Sequence, residues 1–417
     1  MDVFDRQKKQ PTRSPQPAMT DTLEPTLTKF QNVFTSGNAL KALILVVSFL
    51  YWSSLYFYVP TLPVYIEERT GGLALVGMVL SMYGLWQAVV RLPLGIAADW
   101  VGRRKPFIII GLGLAALGAW LLGTSDTISS LTLGRAITGL AAGAWVPLVV
   151  IFTSMFPSDQ VVRASAILTL VSSLSRMLAT GLNGSLIQLG GYSLAFNLSA
   201  GVALLAILVM LAVKEKPRPV QRPSLGGLGR FITRRDILLP SLLSAVMQYA
   251  TWATTFGFLP LLAERLGASE VVQGVLVSLN IGVIVIGNLL TSTLSNRVSP
   301  RLMVLVSYVI IAAGILAAAL TRSLIGVFIA QIAIGLSNGI NYPVLMGMSI
   351  ERVEESQRTT AMGVYQSVYA IGMFTGPWLS GILADWIGIQ PMFAVTAGAC
   401  LLLGILGLRQ VRPAARV

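Results

Sequence analysis

Histidine is absent from the 417 residues, and cysteine occurs once, at Cys400. The first absence excludes His-based acid–base catalysis and His-ligated metals. The second excludes an internal disulfide and Cys-cluster metal sites, and leaves the redox compartment unread. Charge is scarce as well: 11% of residues are Asp, Glu, Lys or Arg, against about 25% in soluble domains. No G-x-x-x-x-G-K-[ST] phosphate loop or H-E-x-x-H pair occurs, and the one G-x-S-x-G run, Gly335 to Gly339, lies inside an apolar stretch with no histidine anywhere to complete a triad, which argues against an ATP-driven pump or a membrane hydrolase. No cofactor and no metal are expected. What the chain has in abundance is apolar residues, 54% of the total, with a mean hydropathy of +0.75. It is an integral membrane protein.

A bilayer-spanning helix needs about 20 mostly apolar residues. Twelve such spans are predicted, at 40–62, 73–97, 107–124, 130–152, 164–187, 193–213, 237–262, 271–294, 302–320, 324–349, 360–384 and 391–408. The expected fold is therefore all-α. Residues 1–37 are polar, Pro-rich and without the apolar run of a secretory signal, so a disordered cytosolic tail is expected there. The longest internal polar stretch, at 214–236, divides the spans into six-helix halves at 38–213 and 237–409, followed by a short tail at 410–417.

The balance of charge is +13, from 30 basic and 17 acidic residues. In a soluble protein this would suggest nucleic acid. Here all but six of the basic residues fall in the tails and on one alternating set of loops. The six are Arg69, Arg265 and Arg322 on the opposite loops, and Arg91, Arg135 and Arg176 within spans. The positive-inside rule then places both termini in the cytoplasm. Topology accounts for the basicity, and no nucleic-acid partner is expected. The partners are the bilayer of a plasma or inner membrane and a small-molecule substrate, with a proton or a counter-anion left open as coupling ion. A monomer is expected.

The halves resemble each other. A slide of 197 residues places Leu62-Pro63 on Leu259-Pro260, Glu67 on Glu264, Gly77 on Gly274, Ser81 on Ser278 and Asp99 on Asn296. A slide of 196 places Gly139, Gly143 and Pro147 on Gly335, Gly339 and Pro343. Internal repeats of this kind mark secondary transporters, with the substrate site near the midplane between the repeats.

Between spans 2 and 3 the chain reads GIAADWVGRRK. This resembles the G-x-x-x-D-x-x-G-R-R-K loop of the major facilitator superfamily, and span number, halves and central loop extend the resemblance to the whole chain. Gly95 would allow close helix packing and Gly102 a tight turn. Asp99 could bond nearby arginines or the start of span 11 around Thr359 and Thr360. The resemblance implies that Asp99, Arg103 and Arg104 latch the halves in the outward-open state. Arg135-x-x-x-Gly139-x-x-x-Gly143 in span 4 is similar to the family's R-x-x-x-G element, which proton-coupled exporters associate with proton movement. Gly181-x-x-Gly184 and Gly372-x-x-x-Gly376-Pro377 loosely resemble the glycine-proline element of the antiporter branch. Leu182 stands where the proline of span 5 belongs, and packing is the first expectation for these glycines.

Polar residues inside membrane helices are costly and face protein or a water-filled cavity. Span 5 has such a stripe in Thr169, Ser172, Ser173, Arg176, Thr180 and Asn183. The candidate cavity takes Arg176 and Asn183 from span 5, Trp52 and Tyr56 from span 1, and Arg135 from span 4. The other half adds Gln248, Thr251, Trp252 and Thr255, Asn280, Gln331, Asn338, Asn341 and Tyr342, then Tyr365, Gln366 and Tyr369. Arg91 is expected to snorkel to the cytosolic surface and serve structure. No acid falls at the centre of a span, and Glu67, Glu264 and Asp385 near the outer ends are the nearest. Two functions remain open: export of amphipathic, drug-like compounds, as in the drug-exporter branch, or uptake or exchange of a small organic anion on Arg176 and Arg135, with a membrane enzyme as a remote third.

Overall fold

The computed structural model describes residues 37–157, 160–215, 233–295, 297–354 and 358–410, except the side chains of Asp99, Val162 and residues 358–360. The expected N-terminal tail, most of the linker and the last seven residues lie outside the described residues. So does the Asp99 side chain, and with it the central member of the expected latch, along with the side chains of Thr359 and Thr360.

Among the described residues every regular element is helical. Ten helices are long and apolar enough to cross a bilayer. One of them, Val161–Ala212, contains two spans. Its helical backbone is interrupted at Gly190 and Gly191, and the φ of +69° at Gly191 is a left-handed conformation that a side chain would strain. A further span begins at Arg235–Ala253 and is completed by Leu259–Arg265. Its own polar residues, among them Ser241, Ser244, Gln248 and Thr251, dilute its hydropathy. Dividing the first and adding the second gives twelve spans, numbered below as in the sequence.

Two spans depart from the expected simple helices at matching places. Span 1 runs Gly37–Tyr56, turns through 57–61 and resumes as Leu62–Thr70. Span 7 passes through a wide, π-type turn at Thr254–Phe258 before resuming at Leu259. In each, a proline (Pro63 or Pro260) sits at the second position of the resumed helix, where its missing N–H is not needed. Pro60 also lacks an N–H for the ladder. The carbonyl of Phe57 instead accepts a 2.7 Å hydrogen bond from Asn183 Nδ2 in span 5. Span 4 likewise tightens through Ala142–Ala144 between Ile128–Ala141 and Trp145–Thr153.

The repeat seen in the sequence is a repeat of contacts. A Cβ on Gly139 would lie 2.7 Å from Tyr83 O, and one on Gly335 would lie 2.7 Å from Asn280 O; Tyr83 and Asn280 are 197 residues apart. Gly143 packs on Val90 and Gly339 on Gly287, again at that offset. Spans 2 and 4 therefore pack as spans 8 and 10 do.

The halves meet along two seams, span 2 against span 11 and span 5 against span 8. Both are glycine-lined. A Cβ on Gly77 would overlap Pro377 O and lie 2.8 Å from Gly381 Cα, while one on Gly184 would overlap the backbone of Glu270 and Val271. These contacts lie toward the end carrying Glu67, Glu264 and Asp385, the outer end in the expected orientation. Arg265 Nη2 bonds Glu67 Oε1 there at 2.7 Å, and Leu73 N donates to Asp385 Oδ1 at 3.1 Å, so both close one half on the other. The span 5–8 seam runs from Gly184 to Met177, beside which Gly282 lies. The halves are joined at the end carrying Glu67, Glu264 and Asp385.

Candidate functional site

Behind that closure, aromatic side chains form a continuous path across the two halves. Trp52 in span 1 meets Tyr56 edge-on at 5.7 Å between ring centres, and Trp145 of span 4 at 5.3 Å. Tyr56 reaches Phe256 of span 7 at 6.3 Å, and Phe256 lies 4.8 Å from Trp252. Trp252 in turn stacks on Tyr83 of span 2 at 5.3 Å, crossing back to the first half. The wide turn at Thr254–Phe258 carries Phe256 toward span 1, which a straight helix would not do as readily.

Guanidinium groups lie on this path. Arg176 Cζ sits 4.9 Å from the Trp52 ring and 5.7 Å from Tyr56. Its Nη2 bonds Ser173 Oγ at 3.2 Å and its Nε the carbonyl of Ser172 at 3.4 Å. Arg135 Cζ sits 4.2 Å over Tyr83. Both geometries are attractive because a cation meets the negative face of a ring.

Arg91 corrects an expectation. It does not snorkel to the surface but is 7% exposed. Its Nη2 donates to Gln87 Oε1 at 2.6 Å within span 2, and its Nη1 donates across the halves to Gln366 Oε1 at 3.3 Å and to the Tyr369 hydroxyl. Tyr369, Tyr365 and Tyr342 form a triangle with ring separations of 5.7 to 6.1 Å. Arg91 approaches Tyr342 through Tyr369, whose ring lies 5.9 Å from it, while Arg176 sits at the Trp52 and Tyr56 end of the aromatic path. Gln366, Tyr342 and Arg176 are half-buried. Among the described residues no carboxylate joins them.

The other candidates divide. Gln248 is half-buried on span 7, and no contact defines its role. Asn183 is fully buried and repairs the break in span 1. Asn280 Nδ2 donates to Gln331 O at 2.9 Å, and Asn338 Nδ2 to Thr251 Oγ1 at 2.6 Å. Asn341 Nδ2 donates to Ser307 Oγ at 2.8 Å. These amides tie helices within one half, the interhelical bond that lone polar residues in membranes commonly make. The span 5 stripe splits as well. Ser172 and Asn183 bond span 1, Arg176 and Ser173 bond each other beside the aromatic path, and Thr169 is exposed.

The loop between spans 2 and 3 is built as its glycine suggests on one side only. Gly102 has φ +68° and closes span 2 with a bond from its N–H to Ala98 O. A Cβ on Gly95, by contrast, would meet only Val146 Cγ1 at an ordinary 3.7 Å, so close packing is not its role in this conformation. The backbone N–H groups of Arg104 and Lys105 donate to the Glu215 carboxylate at 2.7 and 2.9 Å. Lys105 Nζ caps the last carbonyls of span 6, Leu211 O and Val213 O, at 2.8 and 2.7 Å. Here the loop holds its own half together, and Arg103 is exposed.

The model of the Major Facilitator Superfamily matches residues 44–243 and again 241–417, one match to each half. The chain belongs to the major facilitator superfamily. Over shorter stretches this superfamily member is similar to the inner membrane transport protein YajR of Escherichia coli, 44% identical over 69 residues. It is also similar to the MFS efflux transporter aclA of Aspergillus oryzae, 31% identical over 159 residues. These matches span 16% and 37% of this chain, but 15% and 28% of the relatives. A solved structure of a bacterial homologue of the human lysosomal transporter Spinster shares the fold, with a TM-score of 0.75 at 16% identity. It covers 89% of this chain and 97% of its own. The superfamily fold thus extends over nearly the whole of the molecule.

Sequence reasoning missed Tyr83, Phe256 and Arg91. The repeat offset contained a signal for the first, since it maps the chosen Asn280 back onto Tyr83. Arg91 looked superficial because it lies about 15 Å from the end of its helix, within reach of a long side chain.

Proposed function

We propose that this transporter moves amphipathic organic compounds carrying a single negative charge, in the direction of export, by alternating access. The observation that carries this reading is the pair of charges Arg91, bonded across the halves to Gln366 and Tyr369, and Arg176, over Trp52, with no carboxylate bonded to either among the described residues. A guanidinium fork suits a carboxylate, and the aromatic path beside it suits an apolar body. Lipophilic cations fit less well. The faces of Trp52, Tyr56 and Tyr83 that would attract them already carry arginine, and a second cation would have to work against those charges. Export is favoured by the name of the efflux transporter aclA among the relatives. The concentration of basic residues on one set of loops supports cytoplasmic termini. In that orientation the end closed by the Glu67–Arg265 and Leu73–Asp385 contacts is the outer one.

The test is transport by proteoliposomes containing the parent, Arg176→Gln or Arg91→Gln, with an aromatic carboxylate and a lipophilic cation as alternative substrates. A charged hydrogen bond contributes about 1.5–3 kcal/mol, so each variant should lose about tenfold or more in carboxylate transport and keep what cation transport there is. Equal carboxylate transport by the parent and both variants would remove the arginines from the site.

A further inference from the structure

The two halves treat one equivalent position differently. In the second half it is closed by protein hydrogen bonds. Thr255 Oγ1 donates to Gln331 Oε1 at 2.8 Å, and Asn280 Nδ2 donates to Gln331 O at 2.9 Å. The repeat offsets carry Thr255, Asn280 and Gln331 onto Tyr58, Tyr83 and Arg135. There the neutral amide of Gln331 has become a full positive charge. Arg135 is 2% exposed, and its Nε and Nη1 have no hydrogen-bond partner. The Tyr58 hydroxyl lies beside Arg135 and Thr138 without a well-formed hydrogen bond to either.

A guanidinium cannot shed its proton to escape burial, and a buried charge without a partner is strongly destabilising. The Tyr83 ring at 4.2 Å offsets part of this, but a ring face contributes only about 2 kcal/mol even when desolvated. What remains is a guanidinium with two unsatisfied N–H groups and one phenol oxygen beside it, in a half whose described carboxylates lie at the ends of its spans, as Glu67 and Glu68 do. The Tyr83 ring covering Arg135 is itself stacked on Trp252 of the other half. Movement between the halves therefore takes Trp252 away from Tyr83 and leaves that ring free to turn off the charge.

We propose that Arg135, with the Tyr58 hydroxyl, forms a binding site for a small monovalent inorganic anion of halide size, opened when the halves part and Tyr83 leaves Trp252. The site is separate from the organic-anion region at Arg91 and Arg176. It gives the transporter a second charge to exchange, one that needs no titrating group at mid-membrane. Each half then has a completed polar node: an internal amide in one, an anion-filled guanidinium in the other.

The full-length protein, purified in detergent with gluconate as the background anion at constant ionic strength, tests this by bromide titration. Two readouts serve: thermal stability, and tryptophan fluorescence, to which Trp52 and Trp252 contribute. The expected result is a saturable response to bromide in the parent. Arg135→Gln, which copies the residue of the other half, should weaken bromide binding about tenfold or more. Arg135→Lys should keep weakened binding, since it preserves the charge without the fork. Arg91→Gln should bind bromide as the parent does, whatever becomes of its organic-anion transport. Benzoate in place of bromide separates the two sources of negative charge. If benzoate displaces bromide competitively in both the parent and Arg91→Gln, Arg135 belongs to the organic site and the proposal fails. It fails equally if the parent shows no saturable bromide response, or if Arg135→Gln binds bromide as tightly as the parent.

Discussion

Replacing Gly184 by alanine should push the transporter out of its outer-closed state without unfolding it. A Cβ at Gly184 would overlap the carbonyl of Glu270 and the nitrogen of Val271 at the start of span 8. Those are backbone atoms of a helix, so they cannot turn aside as a side chain would. The overlap is relieved only if spans 5 and 8 separate. Overpacking of this type costs about 1–3 kcal/mol. Because the contact joins the two halves, the outer-closed state alone bears that cost. The gain in helix propensity on replacing glycine, about 1 kcal/mol, is common to both states and cancels. The conformational equilibrium should therefore move about 5–150-fold toward the outer-open form.

The assay is labelling of a cysteine at Ser278, in a chain whose own buried Cys400 has been changed to alanine. Ser278 lies beneath the seam, with its Oγ bonded to Met177 O at 2.8 Å. A polar maleimide should reach Ser278→Cys slowly in the parent and much faster beside Gly184→Ala. Gly139→Ala is the control. Its added Cβ would lie 2.7 Å from Tyr83 O within the same half, so both states bear the cost and stability falls without a change in labelling. Parental labelling in a folded Gly184→Ala protein would refute the reasoning. So would an equal acceleration by Gly139→Ala, since the span 5–8 seam would then not be the closure.

Asn183→Leu should strand the Phe57 carbonyl beside the break in span 1, destabilising the protein by about 1–3 kcal/mol, read as a lower Tm with substrate preference unchanged. Altered preference at unchanged Tm would instead return Asn183 to the substrate site. Glu215→Gln removes a carboxylate that caps the start of span 3; a loss of about 1 kcal/mol is expected from helix-capping precedents, and Lys105→Met should add little to it in the double variant if the two act as one clasp. Arg234 holds the Asp236 carboxyl below the usual carboxylate range, chiefly by hydrogen bonding. That pair contributes stability above the unfolded pKa of Asp236 and loses it as pH falls through the folded one. It is partly exposed, so under about 1 kcal/mol is expected, and an acid-side stability difference that survives Arg234→Ala would contradict the assignment.

The parts of the fold legible in the sequence were those carried by composition and by periodic signals. Twelve spans, two halves and the repeat follow from apolar run length and from constant offsets between Leu-Pro pairs and glycines. The bends were not legible. Nothing in the hydropathy of 40–62 separates a straight helix from one that turns at 57–61, because the deciding partner, Asn183, is about 126 residues away in the chain. The same separation explains the errors in the site. Polarity marks Asn280 and Asn338 as costly in a membrane, but only the packing tells a helix–helix tie from a residue turned toward a gap. Arg91 was misplaced for the converse reason, since its depth allowed snorkelling and only span 11, with Gln366 and Tyr369, draws it inward.

Repetition and asymmetry together bear on the proposed movement of a charged solute. The pseudo-equivalent seams 2–11 and 5–8 give two matched surfaces on which the halves can rock, each lined by glycines that permit backbone contact and each released by the same kind of motion. A perfectly repeated interior would present neutral amides on both sides and no preference in charge. Here the second half keeps its amides bonded to one another, while Arg91, Arg135 and Arg176 all belong to the first half. In the proposed function the charge that meets substrate is thus fixed to one rocking body. The other body contributes Gln366, Tyr369 and Tyr342, which can exchange an arginine for a ligand oxygen. Rocking then changes which partner the arginines have without moving a charge through the bilayer on its own. In that proposal an anion meeting Arg91 and Arg176 takes the place that a titrating carboxylate or histidine at mid-span would otherwise fill.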